Sequence, residues 1–415
     1  MSTVTERHQS IDVVRGFAVL GILLMNIVGM GLPTFAYVDP TYWGGHEGAD
    51  LWAWAINFVL TDGKMRGLFT MLFGASMLLI ADRAEGRQPG PAGTHYRRMV
   101  WLLLFGMAHA YLLFFGDILV TYAVAGALVF PLRKLAPRTL IVIGLVVLAA
   151  LIGFQGWQAG ELHALQAAVA AGTATPAQLA FWQEAQLLIN APRAMGEEEM
   201  RLMHGGFLEA LRARSQAALI MQTAYMPTSA LPEAIGQILI GAGLFRLGFF
   251  TLGWSSRAYG ALIAVGYLIG VPATAWLAFA TVQAGFEPVS RHTLEVLTAI
   301  PRPFIALAHA SVVLLIVRAG VLKILVNRLE AAGRMAFSNY LGTSIVTSFV
   351  FCGYGLGLYG ELSRAELYGV VLAVWALILL WSRPWLAAFH YGPFEWIWRS
   401  LTQGRPQPFL RRKPA

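Results

Sequence analysis

The stretch SIDVVRGFAVLGILLMN, Ser10–Asn26, decides how this chain is read. It is a long apolar run with an acid and a base at its head. A run of about 20 apolar residues has the length of a membrane-crossing helix. Asp12 and Arg15 stand three apart, so a helix places them on one face. Asn26 lies three turns, roughly 16 Å, further along the same stripe. Charges in a membrane helix are costly and usually face a bundle interior or a wet cavity. A polar stripe therefore runs most of the way across the first span, and Asp12, Arg15 and Asn26 are the first candidates for substrate binding.

Composition extends that reading to the whole chain. Its 415 residues are 57% hydrophobic and 13% charged, against about 25% charged in an average soluble domain. Further apolar runs follow the first, which predicts a polytopic transmembrane helical bundle, all-α, forming one integral membrane domain over 1–415. The 43 glycines and 13 tryptophans suit helices packed closely through small residues and anchored at interfaces by indoles. The net charge of +8 sits in short loops between spans. That is a topology signal rather than a phosphate-backbone surface, so no nucleic-acid partner is expected. One cysteine, Cys352, rules out an intrachain disulfide and a cysteine metal site. The first apolar run is longer than a signal h-region and lacks a small-residue cleavage pattern, so no cleavable signal is expected.

Ten spans are predicted: 11–31, 65–81, 97–115, 118–132, 139–157, 231–249, 258–281, 301–318, 335–359 and 366–383. The short apolar piece 51–60 reads as interfacial or re-entrant. Basic residues test the count. Arg83, Arg87, Arg97 and Arg98 fall in one loop; Arg133, Lys134 and Arg138 in a second; Arg318, Lys323, Arg328 and Arg334 in a third; Arg399, Arg405, Arg411, Arg412 and Lys413 in the tail. Ten spans with both termini cytoplasmic put all four groups inside, as the positive-inside rule requires. The lipid bilayer is the expected partner. Residues 158–215, rich in Ala, Gln and Glu, read as an extracytoplasmic helical insert, broken near Thr173–Pro176 and Asn190–Pro192. The stretch Gln216–Met226 reads as interfacial.

Several polar groups are placed to do chemistry. The first outer loop carries Trp43, His46, Glu47 and Asp50, and an imidazole beside carboxylates can act as a general base. One histidine with carboxylates is a poor zinc set, and no metal is expected. Lys64 and Arg66 in GKMR follow as substrate-binding candidates; the upstream glycine spacing and strand of a phosphate loop are missing. In GMAHAYLLFFGDILVTYAVAG, His109 lies inside a span and Asp117 at a hairpin tip, where it also suits a helix N-cap. An intramembrane histidine is a site candidate by default, with Asp117 its natural partner. Later come His309 and the run GRMAFSNYLGTSIV, with Ser338, Asn339, Tyr340, Thr343 and Ser344; Asn339 and Tyr340 join the substrate-binding candidates. The terminal YGPFEWIWRSLT predicts an interfacial amphipathic helix after Pro393.

In this order, IDVVRGFAVLGILLMNI, GKMRGLFTMLFGAS, GMAHAYLLFFGDILVTYAVAG, GRMAFSNYLGTSIV and YGPFEWIWRSLT resemble the DUF418 or YeiB-like family of bacterial integral membrane proteins. More distantly, the opening Asp-x-x-Arg-Gly at Asp12, Arg15 and Gly16 is similar to transmembrane acyltransferases of the heparan-α-glucosaminide N-acetyltransferase type. Asn26, Trp43 and Asp50 look like that group's first-span asparagine and outer-loop tryptophan and aspartate. Its histidine position falls near Pro40, with His46 in the same loop. The resemblance implies acyl transfer from a cytoplasmic acyl-CoA co-substrate to an extracytoplasmic small-molecule or envelope-glycan acceptor, with no permanently bound cofactor. The general base would be His109 or His46, oriented by Asp117 or Asp50. A small-metabolite transporter and a non-catalytic scaffold are the competing expectations, and a homodimer is left open.

Overall fold

The computed structural model describes residues 9–86, 88–190 and 192–411; Arg87, Arg412 and Lys413 of the basic clusters lie outside them. The chain opens with α1 (Gln9–Gly31), α2 (Phe35–Val38) and α3 (Gly48–Ile56), and α3 continues through a π-helical turn, Asn57–Thr61. Then come α4 (Lys64–Arg83), α5 (Gly90–Leu112), α6 (Leu119–Val129) and α7 (Pro137–Ala170). The insert holds α8 (Pro176–Asn190), α9 (Pro192–Met203) and α10 (Phe207–Ile220), and a π-helical stretch, Met221–Ala230, leads on into α11 (Leu231–Arg246). The late half has α12 (Ser256–Ala264), α13 (Val271–Gln283), α14 (Pro288–Thr298), α15 (Arg302–Ala319), α16 (Lys323–Arg334), α17 (Ala336–Phe351), α18 (Leu367–Ala388) and α19 (Pro393–Gln403). Among the described residues one isolated bridge, Phe389 with Leu410, interrupts this all-helical picture.

Seven helical runs are long and apolar enough to cross a membrane: α1, Gly48–Arg83, α7, Phe207–Arg246, Ser256–Gln283, α15 and α18. The other three segments expected to span are also helical, but differently made. α6 has 11 residues and α17 has 16, and α5 carries Arg97 and Arg98. Seven of the ten expected spans are thus matched by helical runs long and apolar enough to cross. The piece 51–60, expected to be interfacial or re-entrant, is helical through Thr61 and leads into α4 across a turn at Gly63. Gln216–Met226 likewise sits inside one helical run from Phe207 to Arg246. The insert boundary expected at 158 falls within α7, whose 34 residues span about 51 Å, more than a bilayer core needs. The third basic loop contains the helix α16.

α1 is the axis of the bundle. Val13, Val14, Ala18 and Ile27 are fully buried, as expected of a helix that is apolar all round. Small residues set the close approaches. A Cβ on Gly16 would stand 2.0 Å from the Leu329 carbonyl oxygen, and one on Gly333 would stand 1.8 Å from that of Asp12. The backbones of α1 and α16 therefore touch at this pair of glycines, in the manner of small-residue membrane contacts. α4 meets α11 the same way at Gly74 and Gly241.

Candidate functional site

The basic residues gather at the Gln9 end of α1. Ser10 Oγ donates to the Phe250 carbonyl at 2.7 Å, Arg318 donates to the Leu252 and Trp254 carbonyls, and Arg246 donates to Leu135. At this end a cavity of about 520 Å³ opens between α1, α4, α5, α6, α17 and α19, within the size range of small-molecule sites. Arg15, Arg83, Arg98, Arg334 and Arg399 line it, and most of the remaining wall is apolar or aromatic.

Its side chains are held in place. Arg15 donates to Asp12 Oδ1 and to Ser76 Oγ, each at 2.8 Å, so the pair at the head of the first span forms part of a wall. The Arg98 guanidinium lies 3.8 Å over the Trp398 ring, and Trp398 Nε1 donates to the Arg98 carbonyl at 3.2 Å. Glu395 Oε1 accepts from the backbone N–H of Phe337 at 2.8 Å and of Ser338 at 3.1 Å, and Oε2 meets the Ser338 hydroxyl. A carboxylate there satisfies the free N–H groups of α17 and opposes its dipole. Burial nonetheless pushes the Glu395 carboxyl up, against those hydrogen bonds. The terminal helix expected at the interface is therefore a wall of the cavity, with Trp398 as a stacking partner.

Tyr122 and Tyr340 are also part of the wall. The Tyr340 ring lies 4.9 Å from the His109 ring. His109 Nδ1 is 2.7 Å from Asp117 Oδ2, and His109 Nε2 is 2.8 Å from Ser344 Oγ. Asp117 Oδ1 accepts from the Val120 N–H at 2.8 Å. One carboxylate oxygen thus caps α6 while the other holds the imidazole. All three side chains are buried. Arg214 of the insert donates to the Leu112 carbonyl at the tip of this hairpin, which covers the site from the far end.

The other sequence candidates lie elsewhere. Asn26 is buried on α1 but lines neither this cavity nor the His109 cluster. His46 is exposed, while Asp50 Oδ1 accepts from the Ala365 N–H at 2.8 Å and Trp43 Nε1 donates to the Gly360 carbonyl at 3.1 Å. The first outer loop is thus fastened to the segment before α18, with its aspartate and tryptophan used as ties. Buried Arg364 strengthens this by donating to the Ala36 and Trp43 carbonyls. Lys64 donates to the Phe58 carbonyl, and Arg66 pairs with Glu233 at 3.1 Å. Asn339 is fully used in packing: Nδ2 donates to Ala332 O and Ser382 Oγ, and Oδ1 accepts from Trp381 Nε1. His309 bonds the Tyr267 hydroxyl at 2.6 Å and the Leu60 carbonyl at 2.9 Å. Among the described residues no cluster of three or more His, Cys, Asp or Glu side chains could hold a metal. Sequence reasoning treated Arg83, Arg98, Arg334 and Arg399 as topology signals, and left Ser344 as one hydroxyl among several. The spacing of Ser344 four residues after Tyr340 is the one signal that could have joined it to the cavity.

Apolar crossing helices around a basic-mouthed, apolar-walled chamber define a polytopic helical membrane protein. Residues 244–405 match the family described as Protein of unknown function (DUF418). The Escherichia coli (strain K12) protein called Uncharacterized protein YeiB is 30% identical over 429 residues, covering 98% of this chain and 99% of its own. Uncharacterized protein YxaH of Bacillus subtilis (strain 168) is 28% identical over 98% of this chain and 97% of its own. This chain belongs to the DUF418/YeiB-like family. No solved structure matches it.

Proposed function

We propose that this protein is a transmembrane acyltransferase-like enzyme that passes an acyl group from a cytoplasmic acyl-CoA to an extracytoplasmic acceptor, a small molecule or an envelope glycan. One observation carries the reading: the cavity joins five arginines to a largely apolar wall that includes Tyr340, whose ring lies 4.9 Å from that of His109. Guanidinium groups recognise phosphates by paired, charge-assisted hydrogen bonds, and the apolar wall suits an acyl chain. Read by the positive-inside rule, this mouth and both termini belong on the cytoplasmic side of a bacterial inner membrane, the side that holds coenzyme A thioesters. His109, oriented by Asp117, is the general base. Titration of acetyl-CoA and palmitoyl-CoA into the purified protein in nanodiscs, followed by calorimetry, tests this. Saturable binding that weakens in Arg98→Met is expected. No heat from either thioester, in a protein of unchanged melting midpoint, would sink the reading.

One observation favours transport instead. Three of the seven crossing runs contain π-helical stretches, at Asn57–Thr61, Met221–Ala230 and Val265–Gly270, and interrupted helices often build substrate paths. Against this, cavities near the opposite end of the bundle measure only about 40 and 20 Å³. Substrate flux in proteoliposomes, abolished by Arg98→Met, would favour transport over acyl transfer.

A further inference from the structure

We infer that Ser344 is a nucleophile that carries the acyl group as a transient ester; the inference rests on the acyl-transfer reading and adds a covalent step to it. Asp117, His109 and Ser344 form an unbroken chain of hydrogen bonds, 2.7 Å from Oδ2 to Nδ1 and 2.8 Å from Nε2 to Oγ. That is the order and reach that activates a serine hydroxyl. The three groups come from α5, the approach to α6, and α17, so local helix geometry alone does not bring them together.

The hydroxyl of Ser344, like those of Ser10 and Ser338, is spent mainly on a partner outside its own helix. A buried serine in a helix usually donates to the carbonyl four residues back. Ser76, Ser311 and Ser382 all do so at 2.7 Å. Ser344 stands 3.5 Å from the Tyr340 carbonyl and gives its close contact to the imidazole. Tyr340, one turn earlier on α17, is itself part of the cavity wall. The proposal requires this ring to turn off His109, so that Ser344 opens to the donor chamber.

The chemistry balances without any further reagent. Ser344 Oγ attacks the thioester carbonyl while His109 Nε2 takes its proton. The C–S bond breaks, and the coenzyme A thiolate leaves with that proton as the thiol. In the second half, the acceptor hydroxyl gives its proton to His109 and attacks the serine ester. The ester C–O bond breaks and Ser344 recovers the proton.

The test treats the full-length protein in nanodiscs with an alkyl fluorophosphonate, which phosphonylates activated serines with loss of fluoride, followed by peptide mass spectrometry. Palmitoyl-CoA binding is measured in parallel. Expected are one adduct on the peptide holding Ser344, none in Ser344→Ala, and labelling slowed by about 10² or more in His109→Gln, the scale of general-base assistance. Palmitoyl-CoA binding persists in Ser344→Ala, which also shows that this variant folds. No adduct in the wild type, or equal labelling in Ser344→Ala, overturns the covalent step; if palmitoyl-CoA still binds, direct transfer survives. Labelling at Ser344 without any thioester binding supports the nucleophile and overturns the acyl-CoA donor.

Discussion

Replacing Asp117 with asparagine keeps the shape of the group beside His109 and reverses the direction of one hydrogen bond. Acceptance by the Asp117 carboxylate assigns the hydrogen to Nδ1, and the triad reading then has Nε2 accept from Ser344. In Asp117→Asn the amide oxygen can keep the Val120 N–H, and the amide nitrogen then faces Nδ1 as a donor. The ring responds by moving its hydrogen to Nε2, which points it at Ser344 and leaves the serine proton without an acceptor. The cost in stability is small. A hydrogen bond to a charged group contributes about 1.5–3 kcal/mol net and a neutral one about 0.5–1.5 kcal/mol, a loss of about 1–1.5 kcal/mol. The cost in reactivity is large; in serine-protease triads the same exchange lowers turnover by on the order of 10⁴. Fluorophosphonate labelling rates report reactivity, and melting followed by tryptophan fluorescence reports folding. A labelling rate cut by about 10² or more, with a melting midpoint within a few degrees of wild type, is expected. Labelling of Asp117→Asn at the wild-type rate would refute the tautomer argument, and with it the triad.

Arg98→Met keeps an apolar stem over Trp398 and removes the charge; palmitoyl-CoA affinity should fall at least about tenfold, which is 1.4 kcal/mol, as read by calorimetry. Gly333→Val drives a side chain into the Asp12 carbonyl, which a Cβ alone would approach to 1.8 Å; overpacking of this kind costs about 1–3 kcal/mol, visible as a lowered melting midpoint. Glu395 has its folded pKa raised by burial, so its contribution to stability is complete below its unfolded pKa of about 4.3 and is lost as pH rises through the raised folded value. The melting midpoint of wild type minus that of Glu395→Gln should therefore fall as pH is raised from about 4 upward through that window, and a difference independent of pH would contradict the burial of that carboxylate.

Much of the architecture can be read from composition. Long apolar runs force helices, because a backbone in lipid must satisfy its own hydrogen bonds. The ten segments expected to span are each helical over most of their length, 335–359 only as far as Phe351. The segments less legible were those whose fate depends on neighbours. Residues 51–60 are too short to cross alone, but continue as helix because the following turn leads into α4. The third basic loop becomes α16 because Gly333 and Gly16 let it lie flush against α1. In YGPFEWIWRSLT the pattern announces an amphipathic helix; nothing in it says that Glu395 reaches across to cap α17.

The same division holds for the site. His109 and Asp117 are legible because a histidine in a span needs a partner and a hairpin supplies one eight residues on. Asp50 and Trp43 looked equally chemical, and only their contacts with Ala365 and Gly360 reveal them as ties, while His46 is exposed. The sequence alone determines a helical membrane protein with a basic end, because hydropathy and charge are summed along the chain. Which arginines meet around one chamber, and which of many hydroxyls lies 2.8 Å from His109, is decided by tertiary packing. Ser344 is 235 residues from that histidine, and no local periodicity encodes a distance across that much chain.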